Sequence, residues 1–136
     1  MTAASIDKTP SDGQPARILV VDDDPRLLAS LCSLLTQEGH AVVAAEGGKS
    51  ALEKIQNRGF DLALLDLRMP EVGGFDVMEK LTTAQPGCGV IVVSGESSFT
   101  SVSRALRRGA LDYIRKPFDP EELLAIVRSV LAKRSL

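Results

Sequence analysis

Short apolar runs recur along the chain, and each is followed by a polar segment with a different periodicity. Runs of this kind suit strands that are buried on both faces, as in a parallel sheet. They predict five strands, near 17–22, 41–45, 61–66, 89–94 and 111–115. Apolar residues at helical spacing predict five helices, near 25–38, 48–58, 74–84, 98–108 and 120–133. The alternation predicts an α/β fold, a doubly wound parallel sheet with helices on both faces.

Prolines, carboxylates and glycines mark the expected ends of these helices. Asp24-Pro25 and Asp119-Pro120 each place a capping carboxylate before a proline at the first helical position. Three glycines stand where helices should end with a left-handed residue: Gly39, Gly59 and Gly109.

The fourth helix has the weakest pattern. Serines crowd its start and lower its helix preference. Its apolar stripe consists only of Val102, Ala105 and Leu106. Two interpretations stay open, a solvated helix or a marginal element that shifts when a nearby site changes state.

Length and composition place these elements in one ordinary domain. The 136 residues are 44% hydrophobic and 25% charged, and we expect a flexible leader over 1–15 and a domain over 16–136. A net charge of −2 gives no reason to expect nucleic-acid binding. No apolar run is long enough for a bilayer or resembles a signal peptide, so we expect a cytoplasmic protein. Cys32 and Cys88 are then reduced packing residues.

Polar side chains stand where four of the strands end. Parallel strands place their carboxyl ends on one edge of the sheet, where ligands of such folds bind. The residues are Asp22, Asp23 and Asp24 after the first strand, Asp66 after the third, Ser94 after the fourth and Lys116 after the fifth. The sequence therefore predicts a crevice with several carboxylates, one hydroxyl and one ammonium.

Carboxylates gathered in this way need a counter-charge. Two unit charges 4 Å apart repel by about 4 kcal/mol at an effective dielectric near 20. Hard oxygen ligands without clustered His or Cys favour Mg2+, or Mn2+, over zinc. A carboxylate is also a nucleophile toward a phosphoryl group, whose three oxygens the metal, Lys116 and Ser94 would neutralise. The expected product is an aspartyl phosphate at Asp66.

Four motifs in register resemble the receiver domain of two-component response regulators. They are Leu19 to Pro25, Leu65 to Pro70 with Gly73-Gly74, Val93 to Gly95, and Tyr113 to Phe118. The resemblance extends from about residue 17 to the end of the chain, and it implies the flavodoxin-like strand order 2-1-3-4-5. It also implies a signalling domain that catalyses only its own phosphorylation and dephosphorylation. The implied donor is a phosphohistidine on a sensor kinase or phosphotransfer protein.

The resemblance implies a role for each residue that could hold the metal. Asp66 matches the phosphoacceptor, and Asp23 matches the direct Mg2+ ligand. Asp22 matches the acid that acts through a bound water, and the backbone carbonyl of Arg68 would complete the protein's ligands. Arg68 and Glu96 also occupy the positions that modulate loss of the phosphoryl group, and we hypothesise that Arg68 lies over it and hinders attacking water.

The resemblance also implies a conformational switch. Ser94 fills the position of the conserved hydroxyl, and Lys116 that of the invariant lysine. Tyr113 matches the aromatic residue that turns inward when the hydroxyl moves toward the phosphate. The family's Lys-Pro bond is usually cis, so we expect a cis bond between Lys116 and Pro117.

Several of these residues have simpler explanations. Asp24 fits a helix cap better than a metal ligand, because Pro25 follows it. His40 stands at a helix end, where a solvated or dipole-facing imidazole is expected, and Tyr113 could be an ordinary edge-strand aromatic. Three arginines form either a solvated face or part of a homodimer surface through the fourth helix, fifth strand and fifth helix: Arg104, Arg107 and Arg108.

Three other functions stay as alternatives. A haloacid-dehalogenase-type phosphatase would use Asp22 as its nucleophile, although Arg26 departs from that family's pattern. An FMN module would need a phosphate-binding loop after the first strand, where the aspartates would repel phosphate. The third alternative is a receiver that no longer takes phosphate. The output domain, the kinase and the signal are not predicted.

Overall fold

The computed structural model describes residues 15–95 and 98–135. Within them lie five strands, β1 (Arg17–Val21), β2 (Ala41–Ala45), β3 (Leu62–Leu65), β4 (Gly89–Ser94) and β5 (Asp112–Arg115). The helices are α1 (Pro25–Gln37), α2 (Gly48–Asn57), α3 (Gly74–Ala84), α4 (Phe99–Arg107) and α5 (Pro120–Ser135). The predicted leader, apart from Pro15, lies outside the described residues, as does Glu96.

The strands form one parallel sheet in the order β2-β1-β3-β4-β5. This confirms the predicted fold class and strand order. Every residue of β3 and β4 is buried, as expected for apolar strands that are covered on both faces.

Two hydrophobic clusters lie on opposite faces of the sheet, because side chains alternate along each strand. Ala63 and Leu65 of β3 pack with residues of α2, α3 and α4. Leu62 and Leu64 pack on the other face with residues of α1 and α5. Cys32 and Cys88 are not joined by a disulfide, and both pack against these clusters, which confirms their predicted packing role.

Carboxylates cap the helices as the sequence predicts. Asp24 accepts hydrogen bonds from the N–H groups of Arg26 and Leu27, at 3.0 and 3.4 Å. Asp119 accepts one from the N–H of Glu121 at 3.0 Å. These bonds satisfy amide groups that have no partner within the helix.

The prediction of left-handed glycines is right at two positions and wrong at the third. Gly39 and Gly109 have φ of 96° and 110°, but Gly59 has no positive φ. The chain leaves α2 through Arg58 in an extended conformation. The side-chain amide of Gln85 donates to the carbonyls of Ile55 and Arg58 at 2.9 and 2.8 Å, so a left-handed residue is not needed there.

His40 is not the solvated residue that the sequence suggests. Its Nδ1 atom accepts a hydrogen bond from the N–H of Ala16 at 3.1 Å, and the side chain is half-buried. Burial lowers the pKa of His40, and the nearby carboxylate of Glu38 only partly opposes this. The imidazole therefore joins the start of β1 to the segment that leads into β2.

α4 is held by few apolar contacts. Ala105 is its buried residue, whereas Leu106 is 47% exposed and Phe99 is 86% exposed. The predicted apolar stripe is therefore wrong at Leu106. The guanidinium of Arg104 lies 4.0 Å from the ring centroid of Phe75 in α3, so this arginine is not simply part of a solvated face.

Candidate functional site

The polar residues predicted from the strand ends lie together at the carboxyl edge of the sheet. Asp22 and Asp23 follow β1, Asp66 follows β3, and Lys116 follows β5. Val21 and Leu65 are register partners in β1 and β3. Asp22 and Asp66, the residues that follow them, are therefore neighbours at the edge of the sheet. The parallel topology thus brings together residues that are far apart in the chain.

The ammonium of Lys116 bridges two buried carboxylates. Its Nζ atom lies 2.7 Å from Oδ2 of Asp22 and 3.0 Å from Oδ2 of Asp66. The Asp22 and Asp66 side chains are 2% and 7% exposed, and that of Lys116 is 20% exposed. One cation therefore supplies the counter-charge for both acids.

Burial and hydrogen bonding oppose each other in this group. Burial raises the pKa of Asp22, and hydrogen bonds from Lys116 and the Asp24 N–H oppose the rise without cancelling it. Burial would lower the pKa of Lys116, but its bonds to Asp22 and Asp66 outweigh burial and raise that pKa. Lys116 therefore stays charged at neutral pH.

Backbone amides orient the two carboxylates. Oδ1 of Asp22 accepts a hydrogen bond from the N–H of Asp24 at 2.9 Å. Oδ1 of Asp66 accepts one from the N–H of Arg68 at 3.2 Å. Each acid therefore binds a local N–H through one oxygen and the shared ammonium through the other.

Three carboxylates form a group that could hold a metal ion. Each of Asp22, Asp23 and Asp66 offers an oxygen, and these atoms lie within 4.8 Å of one another. Asp23 is exposed, so this group is open to solvent. Oxygen ligands of this kind, with a carboxylate open to water, fit Mg2+, which keeps several waters when it binds.

The hydroxyl residue and the cis bond lie beside this group. Ser94 ends β4 and is fully buried, and its carbonyl accepts a hydrogen bond from the N–H of Lys116 at 3.0 Å. The bond between Lys116 and Pro117 is cis, which confirms the prediction. Tyr113 lies on the edge strand β5, is half-buried and packs against the cluster that includes Ala105 of α4.

The loop that follows Asp66 borders a surface groove. Residues 67–70 line this groove, which has a volume of about 450 Å³. Arg68 is exposed within it. At the far end of the loop, the N–H of Gly74 donates to the carbonyl of Leu67 at 3.1 Å.

A family model described as the response regulator receiver domain matches residues 18–128. The chain belongs to this family. No helix among the described residues of this receiver domain is both long and apolar enough to cross a bilayer.

Proteins that are already known resemble this receiver domain along most of its length. The transcriptional regulatory protein ZraR of Klebsiella oxytoca is 38% identical over 124 residues, which are 91% of this chain and 28% of ZraR. A CheY-like receiver domain protein from Methanospirillum hungatei has a TM-score of 0.85 and 36% identity, with 89% of this chain and 97% of that chain covered. TrrA from Thermotoga maritima, solved with Mg2+ and a beryllium fluoride, has a TM-score of 0.75 and 32% identity over 84% of this chain and 97% of that one. This receiver domain therefore spans less than a third of the length of ZraR.

Two glycines near the site of the receiver domain, Gly74 and Gly48, permit close backbone approaches that the sequence did not indicate. A Cβ at Gly74 would overlap the carbonyl oxygen of Asp66 and lie 2.8 Å from Cα of Leu67. In the sequence, Gly73-Gly74 was recognised only as part of the family's motif. Gly48 was missed altogether, and the Gly47-Gly48 pair at the start of α2 was the available signal.

Proposed function

We propose that Asp66 accepts a phosphoryl group in a Mg2+-dependent reaction and that the altered charge switches the receiver between conformations. The observation that carries this proposal is the buried carboxylate of Asp66, 3.0 Å from the Lys116 ammonium at the edge of the acidic group. The proposed donor is a phosphohistidine on a sensor kinase or phosphotransfer protein.

In the proposed reaction, a carboxylate oxygen of Asp66 forms a bond to phosphorus. The bond between phosphorus and the donor's imidazole nitrogen breaks, and its electron pair stays on that nitrogen, which takes a proton from water. The hydrogen bond from the Arg68 N–H holds the Asp66 side chain in one orientation. Such positioning is a large part of catalysis in phosphoryl transfer.

Lys116 and Ser94 would stabilise the transferred group. The ammonium of Lys116 would move from the Asp66 oxygen to a phosphoryl oxygen, and the Ser94 hydroxyl would donate to another. Asp22, Asp23, Asp66 and the Arg68 carbonyl would hold Mg2+, which neutralises phosphoryl charge when bound.

We assign the switch to Ser94 and Tyr113. Movement of the Ser94 hydroxyl toward the phosphate would vacate space on the face of the sheet that Tyr113 shares with α4. Arg68 and Glu96 would modulate how long the phosphoryl group persists. The proposed output is control of another domain or partner by the moved surface.

Incubation with acetyl phosphate and Mg2+ tests the chemistry. Intact-mass spectra should show an added mass of one phosphoryl group on the wild-type chain, and Asp66→Asn should abolish it. Asp61→Asn is the matched control, because Asp61 precedes β3 at the opposite edge of the sheet and accepts a hydrogen bond from the Arg17 N–H. That variant should be labelled like the wild type.

Other outcomes would identify the alternatives. A label on Asp22 would support phosphatase-type chemistry, although that carboxylate is 2% exposed. An unlabelled wild-type chain would support a receiver that binds partners without taking phosphate. A label that persists in Asp66→Asn would contradict the assignment of the acceptor.

We also propose that two copies associate through α4, β5 and α5. Leu106 and Leu111, which are 47% and 54% exposed, supply apolar surface at this face. Arg107 of α4 and Asp112 of β5 supply charges of both signs close to it. A surface that carries both signs allows a symmetric pairing of opposite charges.

A further inference from the structure

We infer that Gly48, at the start of α2, is a positioning residue for the phosphoacceptor site. It acts through the segment 67–73, called here the acceptor loop, which joins Asp66 to α3. The inference rests on the proposed function, because it concerns the metal and phosphoryl chemistry of Asp66. Gly48 acts through its backbone alone, because the absence of a side chain is what lets the acceptor loop approach it closely.

The α2 N-terminus lies against the backbone of the acceptor loop. Gly48 is buried, and a Cβ placed on it would overlap the carbonyl oxygen of Val72. The same atom would lie 2.8 Å from both the carbonyl carbon and Cβ of Val72. Backbone atoms give way less easily than the end of a flexible side chain, so any substituent at residue 48 must displace the loop or the helix.

The acceptor loop meets a second helix start on its other side. A Cβ at Gly74 would overlap the carbonyl oxygen of Asp66, and the Gly74 N–H donates to Leu67. The loop is thus held between the first residues of α2 and α3, where each helix begins with a glycine that permits close approach. Its position is set by both contacts together.

A displacement of the acceptor loop would be transmitted to the site through the backbone of the loop. The N–H of Arg68 orients the Asp66 carboxylate, and the Arg68 carbonyl is a proposed metal ligand. The loop has little freedom to absorb a shift, since Met69 and Val72 pack against the core and Glu71 is already left-handed, with φ of 66°. A change at Gly48 therefore moves metal ligands that it does not touch.

The test compares Mn2+ binding by Gly48→Ala and Gly59→Ala. Gly59 follows the other end of α2, has no positive φ, and its Cβ would meet only Oε1 of Gln85, at 3.9 Å. Free Mn2+ is counted by electron paramagnetic resonance in unphosphorylated protein, so the measurement does not depend on turnover. We expect Gly48→Ala to lose Mn2+ affinity by about tenfold, as for other residues that orient ligands without binding the metal, and Gly59→Ala to match the wild type.

Val72→Ala keeps the test decisive if Gly48→Ala does not fold, because it retains the atoms that approach Gly48 but removes the methyl groups by which the acceptor loop packs against the core. It introduces no overlap and should weaken Mn2+ binding in the same direction by a smaller factor. Circular dichroism establishes that each variant is folded at the temperature of measurement. Loss of affinity in a folded variant supports the inference, and wild-type affinity in the folded variants overturns it. Failure of acetyl phosphate to label the wild-type chain would overturn the proposed function instead, and the Mn2+ comparison would still decide the role of Gly48.

Discussion

Lys116 is the residue on which the charge balance of the site depends. Its ammonium contacts both Asp22 and Asp66, whereas the sequence suggested only a contact with a phosphoryl oxygen. Burial raises the pKa of Asp22 even with this partner present. In the absence of Lys116, two carboxylates would share a buried edge without a counter-charge.

Lys116→Gln should lower the free energy of unfolding by about 2 kcal/mol, because it leaves charged, buried groups without their partner. Mg2+ should restore part of this loss, since it replaces the missing positive charge. Urea unfolding with and without Mg2+ measures both effects. Lys133→Gln is the control, because Lys133 is exposed on α5. A Lys116→Gln protein as stable as the wild type would contradict this account.

His40 should make stability depend on pH in the mildly acidic range. Its folded pKa lies below the ordinary value of 6.5 because burial disfavours the imidazolium ion. Between the two values the unfolded chain binds more protons than the folded one. The contribution of His40 is therefore complete above 6.5 and is lost as the pH falls toward the folded pKa.

Urea unfolding across this range should show stability rising with pH in the wild type. His40→Gln should remove that part of the slope, because glutamine does not titrate. An unchanged slope in the variant would show that other groups are responsible.

At the scale of elements, α4 differs from the other helices of the described chain. It buries only Ala105, and the guanidinium of Arg104 stacks on Phe75, with that of Arg108 at 5.8 Å from the same ring. Phe75 directly follows Gly74, which abuts the carbonyl of Asp66. The acceptor loop, α3 and α4 are therefore in continuous contact.

Phe75→Leu should loosen α4, because it removes the aromatic face and keeps an apolar side chain. A cation–π contact at an exposed site contributes about 0.5–1 kcal/mol, so amide hydrogen exchange in α4 should accelerate by about two- to fivefold. Arg107→Gln is the control on the same helix, and it should leave exchange unchanged. Equal exchange in Phe75→Leu and the wild type would mean that α4 is held by other contacts.

Local pattern predicted the elements and their order well, and it predicted tertiary contacts less well. All ten elements lie within two residues of their expected limits, because apolar periodicity and caps are local properties. The common edge of parallel strands also predicted the meeting of Asp22, Asp66 and Lys116. The approach of Gly48 to Val72 and the capping of α2 by Gln85 depend on distances between segments far apart in sequence, which no local pattern encodes.

On the scale of the whole molecule, the large hydrophobic residues that are exposed in the described chain lie in α4 or just before β5. Leu106 and Leu111 are exposed at α4 and before β5, although the hydrophobic residues of β3 and β4 are buried. Contiguous apolar patches with a polar rim mark interaction sites, and pairing of two copies would join these leucines into a larger apolar area. The proposed homodimer would cover this area.

Sedimentation velocity with beryllium fluoride and Mg2+ should reveal a dimer whose dissociation constant rises by about tenfold in Leu111→Lys, as expected for loss of an apolar contact. Ala29→Lys, on the exposed side of α1, is the control and should sediment like the wild type. A wild-type chain that stays monomeric under these conditions would contradict the dimer.

The bridge formed by Lys116 also has a consequence for synthesis on the ribosome. Lys116 follows Asp22 by 94 residues and Asp66 by 50, and it comes after the last strand. Asp22 and Asp66 are synthesised before Lys116. Their carboxylates therefore cannot be brought together with this counter-charge until β5 and Lys116 have also been made. Completion of the acidic centre is thereby tied to synthesis of the chain through β5 and Lys116.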